Sequence, residues 1–118
     1  MNETLKILKE RRSIRSFRPE PVREEDLNAI LEAGIYAPSA KNLQSTKLVV
    51  VQDRETLALL ERVNAELFGD ADGHPFYGAP MAVVVLSDST YPCWLQDGAL
   101  VMGNLMNAAA ALGVGSCW

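Results

Sequence analysis

Two short stretches of this chain gather side chains that could act together on one ligand. Arg11-Arg12-Ser13-Ile14-Arg15 places three guanidinium groups and a hydroxyl within five positions. Guanidinium groups match the oxygens of a phosphate or carboxylate with paired donors, and a hydroxyl adds one more. If the stretch is extended, Arg11, Ser13 and Arg15 point to one side and Arg12 and Ile14 to the other. The second stretch is Pro38-Ser39-Ala40-Lys41-Asn42-Leu43-Gln44. Ser39, Asn42 and Gln44 can hydrogen-bond the polar edge of a heterocycle, while Pro38 stiffens the backbone that presents them. Taken singly, either stretch reads equally well as an ordinary turn or a solvated helix end.

Other constellations fall away. His74 has no second histidine or cysteine at metal-ligand spacing and sits before Pro75 in a loop, so it reads as an exposed residue. Cys93 and Cys117 form no C-x-x-C pair and read as small apolar fillers in a reducing cytoplasm. There is no G-x-x-x-x-G-K-S/T loop, no G-x-G-x-x-G and no nucleophile elbow. Gly113-Val-Gly115 reads as a helix terminator.

The chain that must position these residues has 118 of them, 48% apolar and 22% charged, with 15 acidic against 11 basic side chains and a net charge of −4. That balance describes one globular domain and excludes a disordered tail, a fibre or a disulfide scaffold. No apolar run approaches the ~20 residues that span a bilayer, and the N-terminus lacks a signal-peptide plan. Seven of the eleven basic residues lie in the first 23 positions, and none follows Arg62. A basic head could serve nucleic acid, but the overall acidity and the lack of an aromatic series argue against it.

Periodicity predicts a helix over Thr4–Arg12 with Thr4 as N-cap, then an extended segment ahead of Pro19. A second helix is expected over Arg23–Ala33, with Leu27, Ile30 and Leu31 inward and Gly34 as its stop. The valine-rich run Leu48–Gln52 predicts a strand covered on both faces. Asp53 should cap a third helix reaching Phe68, with Leu57, Leu60 and Leu67 inward. Met81–Leu86 predicts another strand. A long helix over Trp94–Leu112 should carry Leu95, Ala99, Met102, Met106 and Ala109 along one side, and Ser116–Trp118 should open a third strand. Helices alternating with strands indicate an α/β or α+β sandwich.

Three blocks, Glu10-Arg-Arg-Ser-Ile-Arg-Ser-Phe17, Ile30-Leu-Glu-Ala-Gly34 and Ala37-Pro-Ser-Ala-Lys-Asn-Leu-Gln44, resemble the FMN-dependent nitroreductase family. Tyr77–Val85, Asp97–Asn104 and Ala111–Trp118 extend the resemblance in the same order along nearly the whole chain. It implies an α+β fold, a three-layer sandwich with helices on both faces of a central sheet, built as an intertwined homodimer with FMN at the subunit interface. By resemblance, Arg11, Ser13 and Arg15 hold the flavin phosphate and ribityl chain, with Arg12 beside the phosphate or the ring's carbonyl edge. Pro38, Ser39, Ala40, Asn42 and Gln44 then approach the isoalloxazine ring from the other subunit, and Ser116–Trp118 leads towards it. The long helix becomes the dimer's central helix.

The implied activity is NAD(P)H-dependent flavin oxidoreduction, with hydride passing through FMN to an electron-poor acceptor in a ping-pong cycle. The flavin carries that chemistry, so no catalytic side chain is expected. The chain departs from the family in having Ser45-Thr46-Lys47 where an aromatic often follows the loop's glutamine, and in ending where relatives continue with further core strands. The alternatives are a flavin-binding module of the same fold without turnover and, outside the family, a nucleic-acid binder using the basic head.

Overall fold

The computed structural model describes residues 2–118. Four helices, α1 (Glu3–Glu10), α2 (Glu24–Ile35), α3 (Arg54–Leu67) and α4 (Trp94–Ala111), alternate with two strands, β1 (Thr46–Val51) and β2 (Ala82–Ser87), and a 3₁₀ turn covers Ala40–Asn42. The strands pair in a two-stranded sheet. Thr46 at the start of β1 meets Ser87 at the end of β2, and Gln52 meets Met81, so the pairing is antiparallel. The architecture is α+β.

Backbone contacts divide the chain into two units. The first comprises residues up to Ile14, Val22–Leu48 and Val85–Trp118. Its core is the packing of α2 on α4, with α1 lying on α4 as well. Ile30 of α2 and Val101, Leu105 and Ala109 of α4 are buried there. Gly34 lets the helices close: a Cβ at this position would lie 2.6 Å from Leu105 Cδ2 and 3.4 Å from Leu48 Cδ1. Asn104 Nδ2 donates to the Ala33 carbonyl at 2.8 Å, satisfying a backbone acceptor near the end of α2. Asp26, largely buried in the first turn of α2, is partnered by Arg23 at 2.9–3.0 Å.

The second unit comprises Arg15–Pro21 and Val49–Val84. Here α3 begins at Asp53, whose side chain accepts from the Thr56 amide at 2.9 Å and the Thr56 hydroxyl at 2.8 Å. Glu61 holds the following loop through both carboxylate oxygens, at 2.9 Å from the Phe76 amide and 3.4 Å from His74 Nδ1. Ala65 and Val51 are its buried residues.

Asp53 caps α3 as its position predicts, and His74 is exposed. Several other expectations need correction. The N-cap of α1 is Asn2, which accepts from the Leu5 amide, rather than Thr4, and the helix ends at Glu10. Gly34 lies inside α2, not beyond it, because tight packing there outweighs its stop-signal character. β1 is not covered on both faces along its length: Lys47 and Val49 are exposed, while Leu48 packs at Gly34 of α2 and Val51 is buried. Leu67 is 82% exposed, and Ala65 takes the inward place on α3. On α4 the buried line is Asp97, Val101, Leu105 and Ala109; of the residues expected along one side, Ala109 is buried, Met102 and Met106 are half-buried, and Leu95 and Ala99 are exposed. A helix apolar on every side gives no moment to choose a face, and α2 makes the choice. Gly113, at φ +75°, does stop α4. Ser116–Trp118 forms no strand, although the Ser116 carbonyl accepts from the Ile14 amide at 2.9 Å.

Gly34→Ala should destabilise the protein by about 1–2 kcal/mol in urea titrations, overpacking outweighing the gain in helix propensity. In a Leu105→Ala background the same change should be neutral or stabilising, because the vacated space receives the methyl. Acid should act through Asp53 and Asp88. Hydrogen bonds from Thr56 and from Thr90, respectively, lower their pKa values below the usual carboxylate range. Their stabilisation is complete above pH ~4 and is lost as pH falls through the lowered values. Unfolding midpoints measured from pH 7 to pH 2 should therefore hold steady and then drop, less steeply in a D53N/D88N double variant.

Candidate functional site

The site is organised by the first turn of α4. Cys93 precedes the helix in a left-handed conformation (φ 59°), and its carbonyl accepts from the Asp97 amide at 2.9 Å. Asp97 is 3% exposed, the one charged residue of a largely apolar helix, placed near its positive end where the helix dipole favours it. Its Oδ1 accepts the Ala40 amide at 2.9 Å. Its Oδ2 is buried with no hydrogen-bond partner among the described residues, as is the Ser45 hydroxyl.

The Pro38–Gln44 loop is thereby fixed, and its backbone is unusual. Lys41, Asn42 and Gln44 all have φ between 53° and 55°, in the left-handed region that non-glycine residues seldom enter. Internal hydrogen bonds hold this shape. The Gln44 amide donates to Ser39 Oγ at 3.1 Å, and Gln44 Nε2 donates to Asn42 Oδ1 at 2.9 Å. The Asn42 and Leu43 amides close turns onto the Ser39 and Ala40 carbonyls. Asp97, Ser39, Gln44 and Thr46 line one cavity of about 130 Å³, together with Gly34 and Val101.

The arginine stretch leaves the end of α1. Arg12 turns back, Nη1 donating to the Lys9 and Arg11 carbonyls at 2.8 and 2.9 Å, and so caps the helix. Arg11 is half-buried, and its Nη1 is buried with no acceptor among the described residues. Ser13 is exposed, and Ile14 is tied to Ser116. Arg15 is exposed at the start of the second unit. Of the expected site residues, Ser39, Ala40, Asn42 and Gln44 are thus brought together by hydrogen bonds, with Pro38 leading into them. Arg11, Arg12 and Ser13 form a second group at the end of α1. Both groups abut α4, through α1 and through Asp97, and among the described residues no hydrogen bond joins them. Asp97 is the organising residue that sequence reasoning passed over. A lone acid in the first turn of an apolar helix was its available signal.

With this geometry in hand, comparison with known proteins identifies the class. The model of the Nitroreductase family matches residues 8–76. A protein of Archaeoglobus fulgidus named "Putative NADH dehydrogenase/NAD(P)H nitroreductase" is 39% identical over the whole of this chain and 67% of its own length. A relative of the same name from Methanothermobacter thermautotrophicus is 34% identical over 98% of this chain, which spans 60% of that protein. Among solved structures, a Bacteroides fragilis nitroreductase with bound FMN superposes with a TM-score of 0.92 at 32% identity, covering 100% of this chain and 70% of its own. The chain belongs to the nitroreductase family and has its α+β fold. Among the described residues, no helix is long and apolar enough to cross a membrane.

Replacing Ser39 with Ala should leave the Gln44 amide without its acceptor. Hydrogen exchange at Gln44 should then quicken at least ~10-fold with little change in the urea midpoint, as expected of local opening.

Proposed function

We propose that the protein is an FMN-dependent oxidoreductase taking hydride from NAD(P)H and delivering it to an electron-poor acceptor, such as a nitroaromatic or quinone, in a ping-pong cycle. The observation that carries this reading is Arg11 Nη1, a buried guanidinium nitrogen with no acceptor among the described residues, in the group that family resemblance assigns to the flavin phosphate. A buried cationic donor without a partner is costly, and a phosphate oxygen would complete it. Bound FMN would supply the hydride chemistry itself.

The chain's residues divide the work of holding that group. Arg11, Ser13 and Arg15 would bind the phosphate and ribityl chain. Arg12 has Nη1 committed to the end of α1, which leaves its remaining donors for the phosphate or the ring's carbonyl edge. In the loop, Ser39 Oγ accepts from Gln44 and retains its own proton to donate. Gln44 Nε2 is held by Asn42, which leaves Gln44 Oε1 as an acceptor and Asn42 Nδ2 as a donor. Two donors and an acceptor suit a flavin pyrimidine edge, whose carbonyls flank an N–H. Pro38 and Ala40 supply backbone shape at that edge.

The proposed assembly is a homodimer, each loop serving the partner's flavin. Leu95 on α4 is 63% exposed and Leu8 on α1 is 54% exposed, apolar area suited to burial against a second copy. Residues 1–118 are read as one nitroreductase-like domain. A cytoplasmic location is supported by the two free cysteines, Cys93 and Cys117.

The test is the absorbance of the purified protein between 300 and 550 nm after FMN addition and desalting, followed by NAD(P)H. Near-stoichiometric flavin that NAD(P)H bleaches and an acceptor restores is the expected result. Arg11→Ala should weaken FMN binding about 10- to 100-fold, the loss of one charge-assisted hydrogen bond to phosphate. A folded protein that retains no flavin overturns the proposal. Retention without bleaching would reduce it to a flavin-binding module.

A further inference from the structure

We infer that Asp97 is a positioning residue for flavin recognition, acting through the Ala40 amide rather than by touching the cofactor. The inference rests on the reading of Ser39, Asn42 and Gln44 as ring-edge contacts. Among the described residues, Asp97 Oδ1 to Ala40 N is the one hydrogen bond that ties the Pro38–Gln44 segment to another element. Every other hydrogen bond from Ser39 onward stays inside the segment and sets its shape without setting its place.

The anchored backbone is one that relaxes readily. Three of the four residues from Lys41 to Gln44 are left-handed and none is glycine, a backbone conformation that Lys and Gln in particular disfavour. Such a segment keeps its shape only where its surroundings hold it. The Ala40 amide sits between Ser39 and Lys41, at the entry to the strained run, so a fixed point there places the Ser39 hydroxyl directly and Asn42 and Gln44 through the turn.

The carboxylate itself is a poor choice for stability alone. It is 3% exposed, and one of its two oxygens has no hydrogen-bond partner. A buried carboxylate so placed is less favourable for folding than an apolar side chain of similar volume. What Asp97 supplies is an acceptor at a fixed point, carried by α4, which is held in turn by Leu105 against Gly34. Asp97, Ser39 and Gln44 also line one cavity, so the anchor lies beside two of the ring-edge candidates.

The test compares Asp97→Ala and Asp97→Asn in the full chain, by FMN dissociation and by hydrogen exchange at individual amides. Asparagine keeps an oxygen able to accept the Ala40 N–H, and alanine does not. Asp97→Ala should quicken Ala40, Asn42 and Gln44 exchange at least ~10-fold and weaken FMN binding ~10-fold or more. Exchange at Leu105 should be unchanged, which a general loss of stability would not leave so. Asp97→Asn should restore both properties to within ~3-fold of the parent. An alanine variant with parental loop exchange overturns the inference, and so does an asparagine variant as loose as alanine. If the alanine variant fails to fold, the asparagine variant decides alone: parental loop exchange and FMN binding support the inference, and loosening of either overturns it. If the parent binds no FMN, the flavin reading fails, and the inference fails with it as a statement about recognition. The exchange data would then report separately on whether Asp97 anchors the loop.

Discussion

The close approach of α2 to α4 governs the rest of the first unit. Gly34 has no side chain, so Leu105 can occupy the space a Cβ would fill, and Leu48 of β1 packs at the same point. Three elements are set by that contact. It orients α4 so that Val101 and Ala109 are buried with Leu105 and so that Asp97, on the same line of the helix, turns inward. It also leaves α2 ending where Asn104 can take the Ala33 carbonyl, which starts the chain into Pro38–Gln44 from a fixed place. The polar contacts of the loop are therefore consequences of apolar packing two turns away along α4.

Much of the local structure could be read from residue order. The Asp53 cap and the stop at Gly113 follow from short-range rules, and the structure shows both. The resemblance carried by Glu10–Phe17 and Ala37–Gln44 likewise led to the right family. What could not be read depends on partners distant in sequence. Gly34 looks like a terminator until Leu105 is beside it. The inward face of α4 cannot be chosen from a helix that is apolar on nearly all sides; packing on α2 sets it and buries Asp97, Val101, Leu105 and Ala109. The strand over β1 was legible, but its open side was not, because burial depends on which neighbours lie above it.

The candidate site divides along the same line. The residue types in the two stretches announce donors for an anion and for a heterocycle, and that information is local. Their availability is not. Arg12 spends one guanidinium nitrogen on its own helix, while Arg11 keeps a buried donor free, and nothing in a run of arginines distinguishes the two. Left-handed backbone at Lys41 and Gln44 is also invisible in sequence, since neither residue favours it.

The Ala40–Asp97 hydrogen bond spans 57 residues of chain. It imposes an order on how the protein comes into being. Contacts so far apart in sequence form late, after the intervening loop has closed. During synthesis the Pro38–Gln44 segment leaves the ribosome well before its anchor, and it waits through the making of both strands and α3. Until α4 arrives, the segment is an ordinary flexible turn free to avoid its left-handed conformations. The proposed ring-edge residues are thus held in place only once α4 has been made, well after they are made themselves.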